Sequence, residues 1–256
     1  MNDLFSVAGK TALVTGGSRG IGLMIARAFV EQGATVYITS RDAEVCERAA
    51  ADLRAHGDCL SLPADLSRFD EIERISEALK TQATGLDILI NNAGATWGSS
   101  IEDFPERGWD KVMDLNLKSV FFLSQQLLPL LETGARADDP ARIINLGSID
   151  GLSVSSFENF SYSASKAAVH HLTRMLAARL APRHITVNAI APGPFKTPMM
   201  SATVEEMGDR IVESIPLGRF GEPRDIGGLA IFLASPASTF MTGTVIPLDG
   251  GLSAAR

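Results

Sequence analysis

Short apolar runs alternate with longer stretches of helical period along the whole chain. Residues 11–15 (TALVT) form the first run, which ends in a glycine-rich turn. From 22 to 32, Leu23, Ile25, Ala26, Phe29 and Val30 recur at helical spacing, and Gly33 supplies a stop. Residues 34–39 (ATVYIT) are β-branched and aromatic, the composition of a second strand. The rhythm predicts a helix over 42–56, a strand over 59–64, a helix over 69–81 and a strand over 86–90 that runs into Asn91-Asn92-Ala93-Gly94. A long helix follows over 109–131, with Val112, Leu115, Val120, Leu123 and Leu127 on one side. After a Gly-, Asp- and Pro-containing loop come a strand over 141–146, a helix over 163–181 and a strand over 185–190. Residues 192–219 read as irregular and Met-rich, ahead of a helix over 223–234 and a last strand over 244–248.

Strands that are apolar almost throughout, each separated by a helix, are buried on both faces. The expected fold is therefore α/β: a single-domain, Rossmann-type doubly wound parallel sheet of seven strands, with helices on both faces, over residues 1–256. The segment 194–219 is expected to be a mobile cover for a substrate. A chain of 256 residues that is 45% apolar can fill such a core, which excludes a disordered or disulfide-stapled chain. Lys and Arg number 23 against 30 Asp and Glu, a net charge of −7, with no dense basic block. Nucleic acid and membrane surfaces are thus not expected partners. Cys46 and Cys59 lack metal-ligand spacing, and the histidines do not join them, so no metal is expected. Free thiols and the absence of a long apolar run fit a cytoplasmic protein.

Chemistry enters at residues 15–22, TGGSRGIG, between the first strand and the first helix. Gly16, Gly20 and Gly22 leave room for a pyrophosphate to approach the backbone, and the helix N-terminus offers it free N–H groups. Ser18, Arg19 and Ile21 lie between these glycines. A glycine turn without a ligand is the alternative, and the position after the first strand favours a dinucleotide. At the end of the second strand stands Thr39-Ser40-Arg41, with no acid before Asp42 to accept a ribose 2′-hydroxyl. Arg41 and Arg19 could clamp a 2′-phosphate, so the expected cofactor is NADP(H).

Tyr162 and Lys166 are spaced i, i+4, which puts a phenol and an ammonium on one helix face. Ser148 ends the preceding strand. A free phenol has a pKa near ~10, and an adjacent cation favours its ionised form. Alone, the Tyr–Lys pair is equally well an ordinary surface pair. Downstream of the glycine turn and just after Ser148, it points to a nicotinamide site.

Together these segments resemble the short-chain dehydrogenase/reductase family over nearly the whole chain: residues 15–22, Asp65-Leu66, residues 91–94, Asn116, Ser148, residues 162–166, residues 188–193 and Thr197. The resemblance implies NAD(P)-linked interconversion of an alcohol and a ketone. It gives Tyr162 the acid/base role, Ser148 a hydrogen bond to the carbonyl oxygen, Lys166 the nicotinamide ribose and a lowered Tyr162 pKa, and Asn116 a supporting place beside Lys166. It further implies that Asp65 and Leu66 flank the adenine and that Asn92, Ala93 and Gly94 run along the ribose. Pro192, Gly193, Phe195 and Thr197 would touch the cofactor after the last buried turn.

Within the family the chain is most similar to 3-oxoacyl (β-ketoacyl) thioester reductases, including a branch linked to rhamnolipid synthesis, in the approach DDPARIIN, in Trp97 and in MTGTVIPLDGG. Trp97, Asp150, Gly151, Leu152, Phe157, Phe160, Phe195, Met199, Met200 and Met207 are expected at the substrate, where Met and Phe suit an apolar chain. Asp138 and Asp139 would repel an acidic carrier protein, whereas Arg174, Arg179 and Arg183 could attract one. A polyol, sugar or small-ketone dehydrogenase is the alternative. A non-catalytic regulator is disfavoured by the intact Ser–Tyr–Lys set, and an epimerase by the short stretch after Gly193. The resemblance also implies a homotetramer or homodimer.

Overall fold

Seven parallel strands lie in one sheet in the order β3-β2-β1-β4-β5-β6-β7 in the computed structural model, which describes residues 3–255. The strands are β1 (Thr11–Val14), β2 (Thr35–Ile38), β3 (Cys59–Ser61), β4 (Ile88–Asn91), β5 (Ala141–Leu146), β6 (Ile185–Pro192) and β7 (Val245–Leu248). Alternation along each strand sends side chains to two separate cores. Ala12, Val14, Ile38, Ile90 and Ile144 face one core, closed by α1 (Gly20–Glu31), α2 (Ala43–Arg54) and α8 (Pro223–Ala234). Leu13, Leu89, Ile143 and Val187 face the other. That side is covered by α3 (Phe69–Gln82), α5 (Ser119–Gly134) and α6 (Phe160–Leu180). The chain crosses from β3 back to β4 beside β1, which makes the C-terminal ends of β1 and β4 the switch point where doubly wound sheets bind ligands.

Two elements differ from the sequence expectation. The long helix begins at α4 (Glu106–Met113), and a π turn over Asp114–Lys118 joins it to α5. Such a turn inserts one extra residue per turn and commonly marks a functional position; here it carries Asn116. Within 192–219, expected to be irregular, lies α7 (Ser201–Ser214). Thr203, Val204, Met207, Gly208, Ile211 and Val212 are its half-buried positions, an i, i+3, i+4 stripe obscured in the sequence by Gly208 and the flanking Met and Pro residues. No residue of α7 is fully buried.

One acid of the loop before β5, Asp139, also differs from its expected role. Asp139 accepts from Lys10 at 2.7 Å, Arg136 at 2.9 Å and the fully buried Arg142 at 2.6 Å. Both Lys10 and Asp139 stand just ahead of their strands, at the edge of the sheet opposite the switch point. Asp139 is therefore neutralised and remote, and it opposes no partner arriving at the C-terminal edge. Burial raises its pKa, but the bonds from Lys10 and Arg142 outweigh that and hold it below the ordinary 3.8. The stabilisation is in place above that value and is lost as the pH falls through the lower native one. Asp139→Ala leaves Arg142 buried without its counter-ion, bonded only to the Pro140 and Ser235 carbonyls, and a loss of about 3 kcal/mol is expected in urea unfolding at pH 7. A loss below about 1 kcal/mol would show the cluster to be decorative.

Candidate active site

The parallel sheet aligns the ends of β1, β4, β5 and β6, and with them the glycine turn, residues 91–94, Ser148 and Pro192-Gly193. Thr15 joins the first two. Its Oγ1 donates to Ile90 O at 3.1 Å and accepts from the Asn92 and Ala93 N–H groups at 2.8 and 2.9 Å. Asn92 Nδ2 donates to Thr15 O at 2.8 Å and Gly16 O at 3.3 Å. The Asn92 amide thus braces the turn. Thr15, which the sequence marks only as the first residue of the glycine motif, is the hub.

Gly16 and Gly20 have φ of +64° and +56°, conformations that side chains disfavour. At Gly22 a Cβ would stand 2.4 Å from both Gly16 O and Asn92 Nδ2. Beyond it α1 begins at Arg19 with no side-chain cap and no acid in its first turn. A close-approach cradle facing an uncapped helix N-terminus fits a pyrophosphate. Thr197 lies over Gly20, where an added Cβ would meet its Cβ at 3.5 Å. Arg19 and Arg41 are exposed and, among the described residues, make no ion pair. Asp42 caps α2 by accepting from Val45 N at 3.0 Å, so this first acid after β2 is occupied. The donor set fits a 2′-phosphate better than a 2′-hydroxyl.

Ser148 is buried where β5 ends, and its Oγ accepts from Asp150 N at 3.2 Å. Lys166 Nζ donates to Leu146 O at 2.7 Å and lies 5.5 Å from the Tyr162 ring centroid. Asn116 Oδ1 accepts from Ala95 N at 2.8 Å. Its Nδ2 donates to Ala95 O at 2.9 Å and to Ser165 Oγ at 3.1 Å. The π turn thereby ties the loop after β4 to α6. A Cβ on Gly94 would stand 3.4 Å from Asn116 Oδ1 and 3.8 Å from Lys166 Nζ. Ser148, Tyr162, Lys166, Asn116 and Gly94 thus form one cluster beside the glycine turn.

The electrostatics depart from expectation at Tyr162. Burial pushes its phenol up to about 12, the nearby Ser148 hydroxyl draws it down, and the Asp150 charge adds to the rise. Burial brings the Lys166 ammonium down to about 8. The phenol is therefore protonated at neutral pH and ready to donate, with Lys166 still largely cationic.

Other expected contacts are redirected. Phe195 is buried with its ring against Gly221, so only its backbone can reach a cofactor and its side chain does not border a substrate. The Leu66 and Ile21 side chains pack into the two cores. Asp65 Oδ1 is held by Ser67 through its N–H at 3.1 Å and Oγ at 2.7 Å. Trp97 lies on Gly108 of α4, with Arg107 and Lys111 5.7 and 5.3 Å from its ring. Leu152, Phe157, Phe160 and Met199 are exposed. Burial raises the Cys46 and Cys59 thiols to about 11 and about 12, which makes them unreactive. Among the described residues no cluster could hold a metal ion, and no helix is long and apolar enough to cross a membrane.

The family model described as Enoyl-(Acyl carrier protein) reductase matches residues 16–253. The rhamnolipids biosynthesis 3-oxoacyl-(acyl-carrier-protein) reductase of Pseudomonas aeruginosa is 51% identical over 253 residues, 98% of this chain and 99% of that protein. Among solved structures, the Pseudomonas aeruginosa RhlG/NADP active-site complex superposes with a TM-score of 0.95 at 50% identity, covering 99% of this chain and 100% of that one. A gluconate 5-dehydrogenase from Burkholderia cenocepacia in complex with NADP and tartrate gives 0.90 at 32% identity, covering 99% of each chain. With the Ser148–Tyr162–Lys166–Asn116 cluster set beside a glycine cradle at the switch point of the sheet, this chain belongs to the short-chain dehydrogenase/reductase family.

Proposed function

We propose that the protein is an NADPH-dependent oxidoreductase that reduces a 3-oxoacyl thioester to its 3-hydroxyacyl form. The observation that carries the reading is the Ser148–Tyr162–Lys166 cluster, with Ser148 and Lys166 buried and the Tyr162 phenol half-buried, at the mouth of a pyrophosphate-shaped cradle. Residues 16–22 and the N-terminus of α1 would hold the pyrophosphate, Arg19 and Arg41 the 2′-phosphate, and Lys166 the nicotinamide ribose. The chemistry a bound NADPH supplies is hydride donation to the carbonyl carbon. As the carbonyl oxygen gains charge, Ser148 Oγ and Tyr162 Oη donate hydrogen bonds to it, and Tyr162 gives up its proton. The phenolate left on Tyr162 is stabilised by the Lys166 cation close to its ring.

Similarity to the rhamnolipid-linked reductase supports the thioester. Similarity to the gluconate dehydrogenase supports the polyol alternative, but the Asp150 charge that bears on Tyr162 opposes a substrate with its own carboxylate near the ketone. Exposed Met199 and the half-covered face of α7 suit an apolar chain, and residues 194–219 are the proposed cover. Exposed Phe121 on α5 and Met175 on α6 support pairing of copies into a homotetramer or dimer. Two free buried thiols fit a reducing compartment such as the cytoplasm.

The test is a nucleotide-oxidation screen over 3-oxoacyl thioesters on CoA and on acyl-carrier protein, small ketones and keto-sugars. Thioesters turned over best, with NADPH at least about tenfold preferred over NADH (about 1.4 kcal/mol), are expected. Reduction of a keto-sugar alone, or a preference for NADH, would overturn the substrate or the cofactor reading respectively.

A further inference from the structure

His170 is only 3% exposed and has no part in the chemistry above. It follows Tyr162 and Lys166 at successive steps of four along α6, so the three share one helix face. Neither of its ring nitrogens has a hydrogen-bond partner among the described residues, which is rare for a buried imidazole. The ring lies instead against the turn that carries Ser148. A Cβ on Gly147 would stand 2.0 Å from Nε2 and 2.6 Å from Cδ2, and a Cβ on Gly151 would stand 2.9 Å from Cε1. Gly147 directly precedes Ser148, and Gly151 ends the short helical turn Ile149–Gly151 that Ser148 caps. Gly147 N donates to Ile190 O of β6 at 2.7 Å, and Gly151 N donates to Ser148 O at 3.0 Å. The two glycines that bracket Ser148 are thus anchored, and both close on the same flat ring.

We propose that His170 is a positioning residue: its neutral imidazole, wedged between Gly147 and Gly151, sets the Ser148 hydroxyl against Tyr162, and protonation of the ring releases Ser148 at acid pH. The inference rests on the ketone-reduction reading, because it needs Ser148 to meet the carbonyl oxygen. A planar ring fits the gap left by two absent Cβ atoms, where a tetrahedral side chain would push one glycine aside.

A charged ring would find no counter-ion there. On α6 its charged neighbours are Lys166 and Arg174, both cations. β5 and β6, against which α6 packs, carry no acidic residue. The acid of the turn, Asp150, accepts from Asn159 Nδ2 at 3.0 Å. Burial accordingly lowers the His170 pKa to about 4, with the two cations adding to the fall. The Gly151 backbone opposes them, although its contact with the ring falls short of hydrogen-bond geometry. The ordinary value is 6.5. The native ring therefore stays neutral down to about pH 4, while the unfolded chain takes up the proton earlier. Stability is complete above 6.5 and is lost as the pH falls towards the native value.

Three variants and one spectroscopic measurement on the wild type test the proposal. His170→Leu fills the space with a branched chain that does not titrate; kcat is expected to fall about 10- to 100-fold, as for a displaced reacting group. The affinity for NADPH, read by fluorescence titration, stays within about twofold, because the cradle lies elsewhere. The acid limb of the pH–kcat profile loses its step near the His170 pKa. Gly147→Ala drives a methyl into the ring and lowers kcat similarly, and Gly147→Ala combined with His170→Ala recovers part of the loss, because the obstruction is gone. In NMR of ring-labelled wild type, the His170 signal shows no titration near 6.5.

Unchanged kcat and acid limb in His170→Leu would overturn the proposal. So would a double variant no better than Gly147→Ala, or a ring that titrates at the ordinary value. A wild type inactive on thioesters sinks the substrate reading alone, and the same ratios are then read on the ketone it does reduce. A wild type that reduces no ketone overturns both.

Discussion

Tyr162→Phe is expected to lower kcat by about 100- to 10,000-fold, the range associated with a positioned general acid, while NADPH still binds within about twofold of wild type. The substitution removes one oxygen from a part-buried ring and leaves the ring to pack against Lys166 as before. The carbonyl oxygen then keeps the Ser148 donor but loses its proton source. A phenol raised to about 12 and a lysine lowered to about 8 also fix the sign of the pH dependence for reduction. Activity holds through neutral pH, where both groups are protonated, and declines as the pH rises through about 8 and the cation beside the nascent phenolate is lost. Steady-state kinetics from pH 6 to about 10, beside a fluorescence titration of NADPH, check both statements. Retention of most turnover in the Phe variant would sink the mechanism.

Gly22→Ala should weaken NADPH binding by about 100-fold or more, which corresponds to about 2.7 kcal/mol. The new methyl would stand 2.4 Å from Gly16 O, a backbone atom, and 2.4 Å from Asn92 Nδ2, which is itself bonded to Thr15 O. Neither neighbour is the free end of a flexible side chain. Relief must therefore come from moving the start of α1 away from the turn, which separates the helix N–H groups from the pyrophosphate position. Gly20 offers a contrast: a Cβ there meets Thr197 at an ordinary 3.5 Å, and its φ of +56° is the main obstacle. The measurement is the NADPH dissociation constant, with circular dichroism to show that the sheet and helices persist. An affinity within about threefold of wild type (about 0.65 kcal/mol) would mean that the cradle does not hold the pyrophosphate.

Most elements were legible because the pattern that marks them is local. Leu23, Ile25, Phe29 and Val30 announce α1 by their spacing, and the run Leu86–Ile90 announces β4 because both of its faces are covered. The π turn at Asn116 left no such mark. It changes the backbone bonding of five residues without altering the apolar stripe of the helix around it. The half-covered stripe of α7 was masked by the Pro and Met residues before it, and the acid at 139 gave no hint that Lys10, distant in sequence, would neutralise it.

The candidate site divides in the same way. Residue types and order were enough to pick out the glycine turn, Ser148, Tyr162 and Lys166, because together they match the motifs of the family that the chain resembles. Which side chains point where was decided only when the strands met. Phe195 turned into the core, Asn92 became a brace for the glycine turn, Thr15 became the hub between β1 and β4, and His170 was lodged beneath Ser148. The amino-acid order by itself determined a doubly wound sheet with a nucleotide cradle and a Tyr–Lys pair, since hydrophobic period and turn chemistry act over a few neighbouring residues. The tertiary structure alone decided proton affinities and bracing contacts, since burial and pairing depend on residues that only the folded sheet brings together.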